Sequence, residues 1–208
     1  MFKQILTFSG VLLLVACATG GIKQIPPQVR DLQKVNFFAD GKTQAGFKVT
    51  GTMDGMMTDG VVTAKKIGDA DFEVALLTGG IYKVMHAIVS PEGVAYRYLF
   101  KEVDNALVRA RITQLLDLLF LPPGTYVKST IKNGQTRVTY QGPRAKEIFV
   151  YEGGTYPVSA RTVTTLNGAD LTYADYMPAS ADGTVSVPHT LVYRDGKIIL
   201  ELQLISLR

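Results

Sequence analysis

Gly46-Phe47-Lys48-Val49-Thr50-Gly51-Thr52-Met53 sets Phe47, Val49, Gly51 and Met53 on one side and Lys48, Thr50 and Thr52 on the other. Period two is the spacing of a strand with one face on a core and one in water. The alternation returns after the turn Pro91-Glu92-Gly93, where Val94, Tyr96, Tyr98 and Phe100 are expected to share a face. It returns again near the C-terminus in Ile198, Leu200, Leu202 and Leu204, with Glu201 and Gln203 opposite. Turn dipeptides separate such runs: Asp40-Gly41, Asp54-Gly55, Asp59-Gly60, Asn133-Gly134, Asn167-Gly168, Asp182-Gly183 and Asp195-Gly196. Such pairs tolerate the positive φ that tight hairpins require. Strands are predicted at 45–53, 60–67, 70–78, 81–90, 94–101, 125–132, 135–141, 145–152, 158–166, 171–176, 188–194 and 197–206. Consecutive short links imply an antiparallel meander rather than parallel βαβ units.

One helix interrupts the ladder. Val108, Ile112, Leu115, Leu116 and Leu119 repeat at helical spacing behind Asp104, a residue able to cap. Arg109, Arg111, Thr113, Gln114 and Asp117 are its expected wet side, and Pro122-Pro123-Gly124 ends it. Leu118, Phe120 and Leu121 widen the apolar arc near the end. That width suits a core helix packed across a sheet, or the lid of an apolar cavity. A second, short helix is predicted over 27–35 from the stripe Val29, Leu32 and Val35. The fold class that follows is α+β, mainly β, an antiparallel sheet with a few helices.

The chain has 208 residues, enough for one domain with its own core. Its 22 Lys and Arg against 18 Asp and Glu give a net charge of +4, scattered without a basic run, which speaks against nucleic acid and is compatible with weak attraction to anionic headgroups. No nucleophile elbow, zinc-protease motif, phosphate loop or dinucleotide fingerprint is present. Of the two histidines, His86 shares a predicted strand face with Tyr82, Val84 and Ile88 and reads as a hydrogen-bonded wall or core residue; His189 is expected at the surface. Asp69, Asp71 and Glu73 fall around a turn, where a solvated edge is the default. No catalytic residue, metal ligand or cofactor is assigned, and an enzyme is not expected. The stretch Thr52 to Thr58 carries Met56 and Met57 between turn signals. These two methionines are either an exposed apolar tip for a membrane or partner, or side chains folded back on the sheet.

The N-terminus has its own signal. Met1-Phe2-Lys3-Gln4 brings one positive charge, the run Ile5 to Val15 is mostly apolar, and Leu14-Val15-Ala16-Cys17 closes on the only cysteine. The run is too short for a stable span of a bilayer and reads as a secretory leader. Its end resembles the lipobox of bacterial lipoproteins, matching at all four positions. That resemblance implies removal of residues 1–16 and acylation of Cys17, with palmitate among the chains. Residues 17–27 then form a tether opened by Ala18-Thr19-Gly20-Gly21. Ala18 in place of Asp implies sorting to the outer membrane, facing the periplasm. With Cys17 acylated, no thiol remains for a disulfide.

The order of elements over 28–208 resembles the lipoprotein-localisation factors, the LolA/LolB-like superfamily. The resemblance is carried by the lipobox, the strand Gly46-Phe47-Lys48-Val49-Thr50-Gly51, the ladder of hairpins, the helix at 105–121, and the closing pair Pro188-His189-Thr190 with Asp195-Gly196-Lys197-Ile198-Ile199-Leu200. It implies a strongly curved half-barrel covered by helices around an apolar cavity for acyl chains. The residues expected at the sheet–helix interface are Phe47, Val49, Phe72, Val74 and Leu76, with Tyr96, Tyr98, Leu115, Leu116 and Leu119. Each reads equally as ordinary core. Three functions stand open: an envelope lipoprotein that binds or passes on a lipid or acylated molecule, a non-catalytic scaffold or accessory subunit of an envelope assembly, and, behind both, a hydrolase. The first expects an apolar cavity left after all side chains are placed, the second a filled core.

Overall fold

The computed structural model of the protein describes residues 27–53, 55–163 and 168–208. The leader, Cys17 and the tether up to Pro26 lie outside the described residues. The elements are α1 (Pro27–Arg30), β1 (Gln44–Met53), β2 (Met56–Lys66), β3 (Phe72–Thr78), β4 (Tyr82–Val89) and β5 (Val94–Leu99). Then come α2 (Ala106–Phe120), β6 (Thr125–Lys132), β7 (Gln135–Gln141), β8 (Lys146–Glu152), β9 (Ser159–Val163), β10 (Asp170–Pro178), β11 (Ser186–Asp195) and β12 (Ile198–Leu207). Among the described residues the strands form one sheet in the order β5-β4-β3-β2-β1-β12-β11-β10-β9-β8-β7-β6.

Two meanders therefore meet at the centre, where β1 pairs with β12 and Val49 faces Leu202 across the ladder. The outer strands β5 and β6 are consecutive in the chain, and the link between them carries α2 across the inner face. The sheet rolls far enough for turns near its two edges to meet. Arg144, between β7 and β8, donates to the carbonyls of Ser90 (3.2 Å) and Pro91 (3.3 Å) between β4 and β5. The result is a strongly curved antiparallel half-barrel, mainly β, as expected. Among the described residues one long helix covers it, beside the short α1, rather than a few. No helix among the described residues is long and apolar enough to cross a membrane.

The inner face is built by alternation. Phe47, Val49, Val74, Leu171, Leu191 and Leu202 are buried, while Lys48, Thr172 and Gln203 point outward and are exposed. Gly51 is required at the join: with φ 149°, a Cβ there would meet the Ile199 carbonyl oxygen at 2.0 Å.

Several expectations need correction. Asp59-Gly60 is no turn but part of β2, because glycine lets the Leu77 carbonyl lie 2.3 Å from where a Cβ would stand. The stretch at Met56 and Met57 is strand, not loop, since Met53 pairs with Met56 and Thr52 with Met57. The helix expected over 27–35 stops at Arg30, because the Gln33 N–H bonds the distant Thr155 carbonyl (2.7 Å) instead of continuing a helical ladder. Val29, Val35, Phe37 and Phe38 are still buried, as an irregular strap.

The expected common face of Val94, Tyr96, Tyr98 and Phe100 breaks at a bulge. Ala87 pairs with Tyr96 but His86 with Tyr98 and Met85 with Leu99, so the extra residue turns Tyr98 outward and Leu99 inward. Tyr98 and Phe100 are exposed accordingly.

Candidate functional site

Helix α2 begins at Asn105, not Asp104. The Asn105 side chain accepts from the Val108 N–H at 3.0 Å. Asp104 instead holds both prongs of Arg109, at 2.5 and 2.9 Å. The helix ends at Leu121, which is extended before Pro122.

Along its length α2 is tied down by polar side chains from different strands. The Tyr96 hydroxyl donates to the Arg109 carbonyl (3.0 Å) with Thr113 Oγ1 beside it (3.1 Å). The Tyr193 hydroxyl donates to the Arg111 carbonyl (2.9 Å), while the Arg111 guanidinium stands 3.5 Å from Asp195. Thr162 donates to the Gln114 side chain at 3.0 Å. Asp117, expected on the wet side, is buried and forked by Arg144, one arm at 2.7 Å. Lys34, from the strap, donates to the Leu121 carbonyl and caps the helix end.

Under these ties lies an apolar slot. Its floor is Val49, Val62, Leu76, Met85, Leu200 and Leu202; its roof is Ile112, Leu115, Leu116 and Leu119. Thr58 is the one hydroxyl-bearing residue along its edge. The slot measures about 40 Å³, little more than one water-sized group.

Of the residues expected here, Val49, Leu76, Leu115, Leu116 and Leu119 line the slot. Phe47, Phe72 and Val74 are buried on the same sheet face, but Phe47 and Phe72 pack with Phe37, Phe38 and Phe120 as an aromatic cluster beyond it. Tyr96 is half-buried and serves the helix with its hydroxyl. Tyr98 lies outside, for the bulge given above. Val62, Met85, Leu200 and Leu202 were missed as lining residues, as was Ile112 on the helix. The alternation of the four strand residues was readable, but their position opposite α2 depends on the long-range β1–β12 join.

At the C-terminal end of α2 is a second pocket of about 360 Å³, between the strap and β3. Lys34, Asn36, Lys66, Asp69, Phe72 and Leu119 contribute to it, and Leu119 also belongs to the slot. Behind it sit the buried carboxylates Glu147 and Asp117 and the half-buried Lys34. Burial pushes Lys34 down to about 8, against the raising influence of Glu147 and then Asp117. Burial likewise raises Glu147 and Asp117, in Asp117 outweighing the ion pair with Arg144. Gly142 leaves room for Glu147, whose Oε1 would stand 2.7 Å from a Cβ there. Glu147 Oε2 and the Tyr173 hydroxyl are buried with no hydrogen-bond partner among the described residues.

His86 is hydrogen-bonded as expected, Nε2 to Glu73 Oε1 at 2.8 Å, but on the convex face. Its strand turns Met85, Ala87 and Val89 inward instead. His189 is half-buried rather than exposed. Met57 stands outside, 84 % exposed.

No family model matches the sequence, and no curated protein matches it. Solved structures do. A LolA superfamily protein from Nitrosomonas europaea superposes with a TM-score of 0.55 at 8% identity, covering 80% of this chain and 85% of its own. A putative outer membrane lipoprotein-sorting protein domain from Vibrio parahaemolyticus gives 0.49 at 11% identity, over 80% and 83%. A DUF1329 family protein from Desulfovibrio piger gives 0.47 at 8% identity, over 83% and 87%. The first likeness establishes a shared fold, the LolA-like half-barrel.

Proposed function

We propose that this chain is an envelope lipoprotein that binds or passes on a hydrophobic ligand, a lipid or an acylated molecule, between α2 and the inner face of the sheet. Lipid on Cys17 anchors it in the outer membrane, facing the periplasm, and 28–208 acts as one ligand-binding domain. The observation that carries the reading is the apolar slot under a helix that buries an apolar face on the sheet and is pinned near both ends by polar ties. The LolA-like fold of the Nitrosomonas europaea neighbour supports it.

The magnitudes are compatible. An acyl chain of about 14 methylenes gains roughly 11 kcal/mol on leaving water, at ~0.8 kcal/mol each. Lifting α2 exposes its apolar roof and breaks its ties, each worth about 0.5–1.5 kcal/mol net for neutral hydrogen bonds. The incoming chain covers the same roof again. A slot of about 40 Å³ is thus the closed state, and the ligand enters by displacing α2 rather than by filling a ready cavity.

That small volume also favours a second reading, a non-catalytic scaffold with a filled core. The deciding experiment is native mass spectrometry with lipid extraction on the full chain carrying Cys17→Ser, expressed in the periplasm behind its own leader. A stoichiometric lipid, lost in Leu116→Asp with circular dichroism unchanged, supports the carrier. A folded protein that neither retains lipid nor takes up added lipid supports the scaffold. The anchor is tested separately, by incorporation of labelled palmitate into the parent chain and its absence from Cys17→Ser.

A further inference from the structure

The pocket at the C-terminal end of α2 differs from the slot in chemistry while sharing Leu119 with it. The slot is bounded by aliphatic side chains. The pocket has an aromatic wall, with Phe72 and Phe120 at 5.8 Å, and two lysines. Lys66 is half-buried at its edge and has no ion-pair or hydrogen-bond partner for its ammonium among the described residues. Lys34 is half-buried; its ammonium donates to the Leu121 carbonyl and stands 5.3 Å from the Phe149 ring, and a lysine carries three donors in all. The carboxylates that act on Lys34, Glu147 and then Asp117, lie behind the pocket; the one carboxylate in its lining, Asp69, is exposed.

We propose that this pocket seats the anionic head of an amphiphile, a carboxylate or a phosphate ester, facing Lys34 and Lys66 while its chain passes Leu119 into the slot. The inference rests on the carrier reading and adds the class of its ligand. It also links recognition to opening. An anion that draws the Lys34 ammonium away from Leu121 removes the cap from the end of α2, the element that must lift for the chain to enter.

The test uses the full chain carrying Cys17→Ser and a fluorescent polyene fatty acid, compared with its neutral methyl ester. The acid is expected to bind at least about tenfold more tightly than the ester, as charge-assisted hydrogen bonds imply. Lys66→Gln is expected to bring the acid to the ester's affinity and leave the ester unchanged. Lys34→Gln does the same, with circular dichroism to certify its fold. Lysophosphatidate displacing the acid more strongly than a fatty acid does assigns the head to a phosphate ester; the reverse assigns it to a carboxylate. Equal binding of acid and ester, or equal weakening of both by Lys66→Gln, overturns the head site and leaves the carrier reading intact. Displacement by inorganic phosphate without any preference for acid over ester reassigns the pocket to a free anion and overturns the amphiphile. If neither probe binds, the carrier reading itself fails, and this inference with it.

Discussion

Leu116→Ala probes the contact on which the functional reading depends. Leu116 is 3 % exposed and forms part of the slot's roof. A buried Leu→Ala change costs about 2.7 kcal/mol where the surroundings collapse and about 5 where a hole remains, rising by roughly 24 cal/mol per Å³ of hole. Here the roof is tied from both sides, by Tyr96 and Tyr193 near its start and by Arg144 and Lys34 near its end. Collapse is therefore resisted. The new void also joins the existing slot of about 40 Å³, a volume that by itself corresponds to roughly 1 kcal/mol. The expected loss is about 4 kcal/mol, read as a lower urea midpoint with an unchanged denaturant slope. The enlarged hole approaches the size that admits benzene, about 150 Å³. Benzene should raise the melting temperature of Leu116→Ala and leave the parent unaffected. A loss below about 1.5 kcal/mol with no response to benzene would mean that α2 settles freely onto the sheet. The ties would then not hold the helix, and the picture of a clamped lid would be wrong.

Four further outcomes are expected. Gly51→Ala forces a Cβ against the Ile199 carbonyl in a backbone region that suits glycine, so a loss of about 3 kcal/mol and a fall of roughly 6–12 °C in Tm should appear by calorimetry. Asp117→Ala leaves Arg144 without its carboxylate; because the Arg144 side chain keeps 24% of its exposure, the loss should be near 3 kcal/mol, the lower end for a broken buried pair, by urea unfolding. Lys34 has its folded pKa lowered from 10.5 to about 8, so the unfolded chain binds more protons between those values and stability must rise with pH there. The rise from pH 8 to 9.5 should reach about 1.5 kcal/mol, vanish in Lys34→Met, and reverse above roughly pH 10, where unfolded tyrosines ionise while buried Tyr151, Tyr173 and Tyr193 resist. Met57→Ser, at an exposed side chain, should change stability by less than about 0.5 kcal/mol; a larger loss would place Met57 in a contact the fold does not show.

The aromatic cluster shows how far local pattern reaches. Phe47 and Phe72 each read as inward-facing from their own strands, but nothing local brings them to Phe37, Phe38 and Phe120, which come from the strap and the helix end. Tyr98 shows the opposite limit. Its alternation was regular, and one extra residue against β4 reversed its face. A bulge leaves no period-two signature, because it is set by the partner strand. Asp117 reads as wet-side because a carboxylate seldom sits buried without a partner, and its partner, Arg144, lies on a turn 27 residues away.

Local pattern is enough for most strands, the long helix and the antiparallel class. These follow from alternation, glycine turns and the Pro122-Pro123 stop, all acting within a few residues. The sequence also carries Leu14-Val15-Ala16-Cys17, a linear pattern that resembles a lipobox and is readable without a fold. Tertiary structure alone decided that β1 and β12 join at the centre, that α2 therefore spans from edge strand to edge strand, and that Lys34 reaches its end. Those contacts connect residues far apart in the chain. Their energy comes from burying faces against one another, and a face does not name its partner.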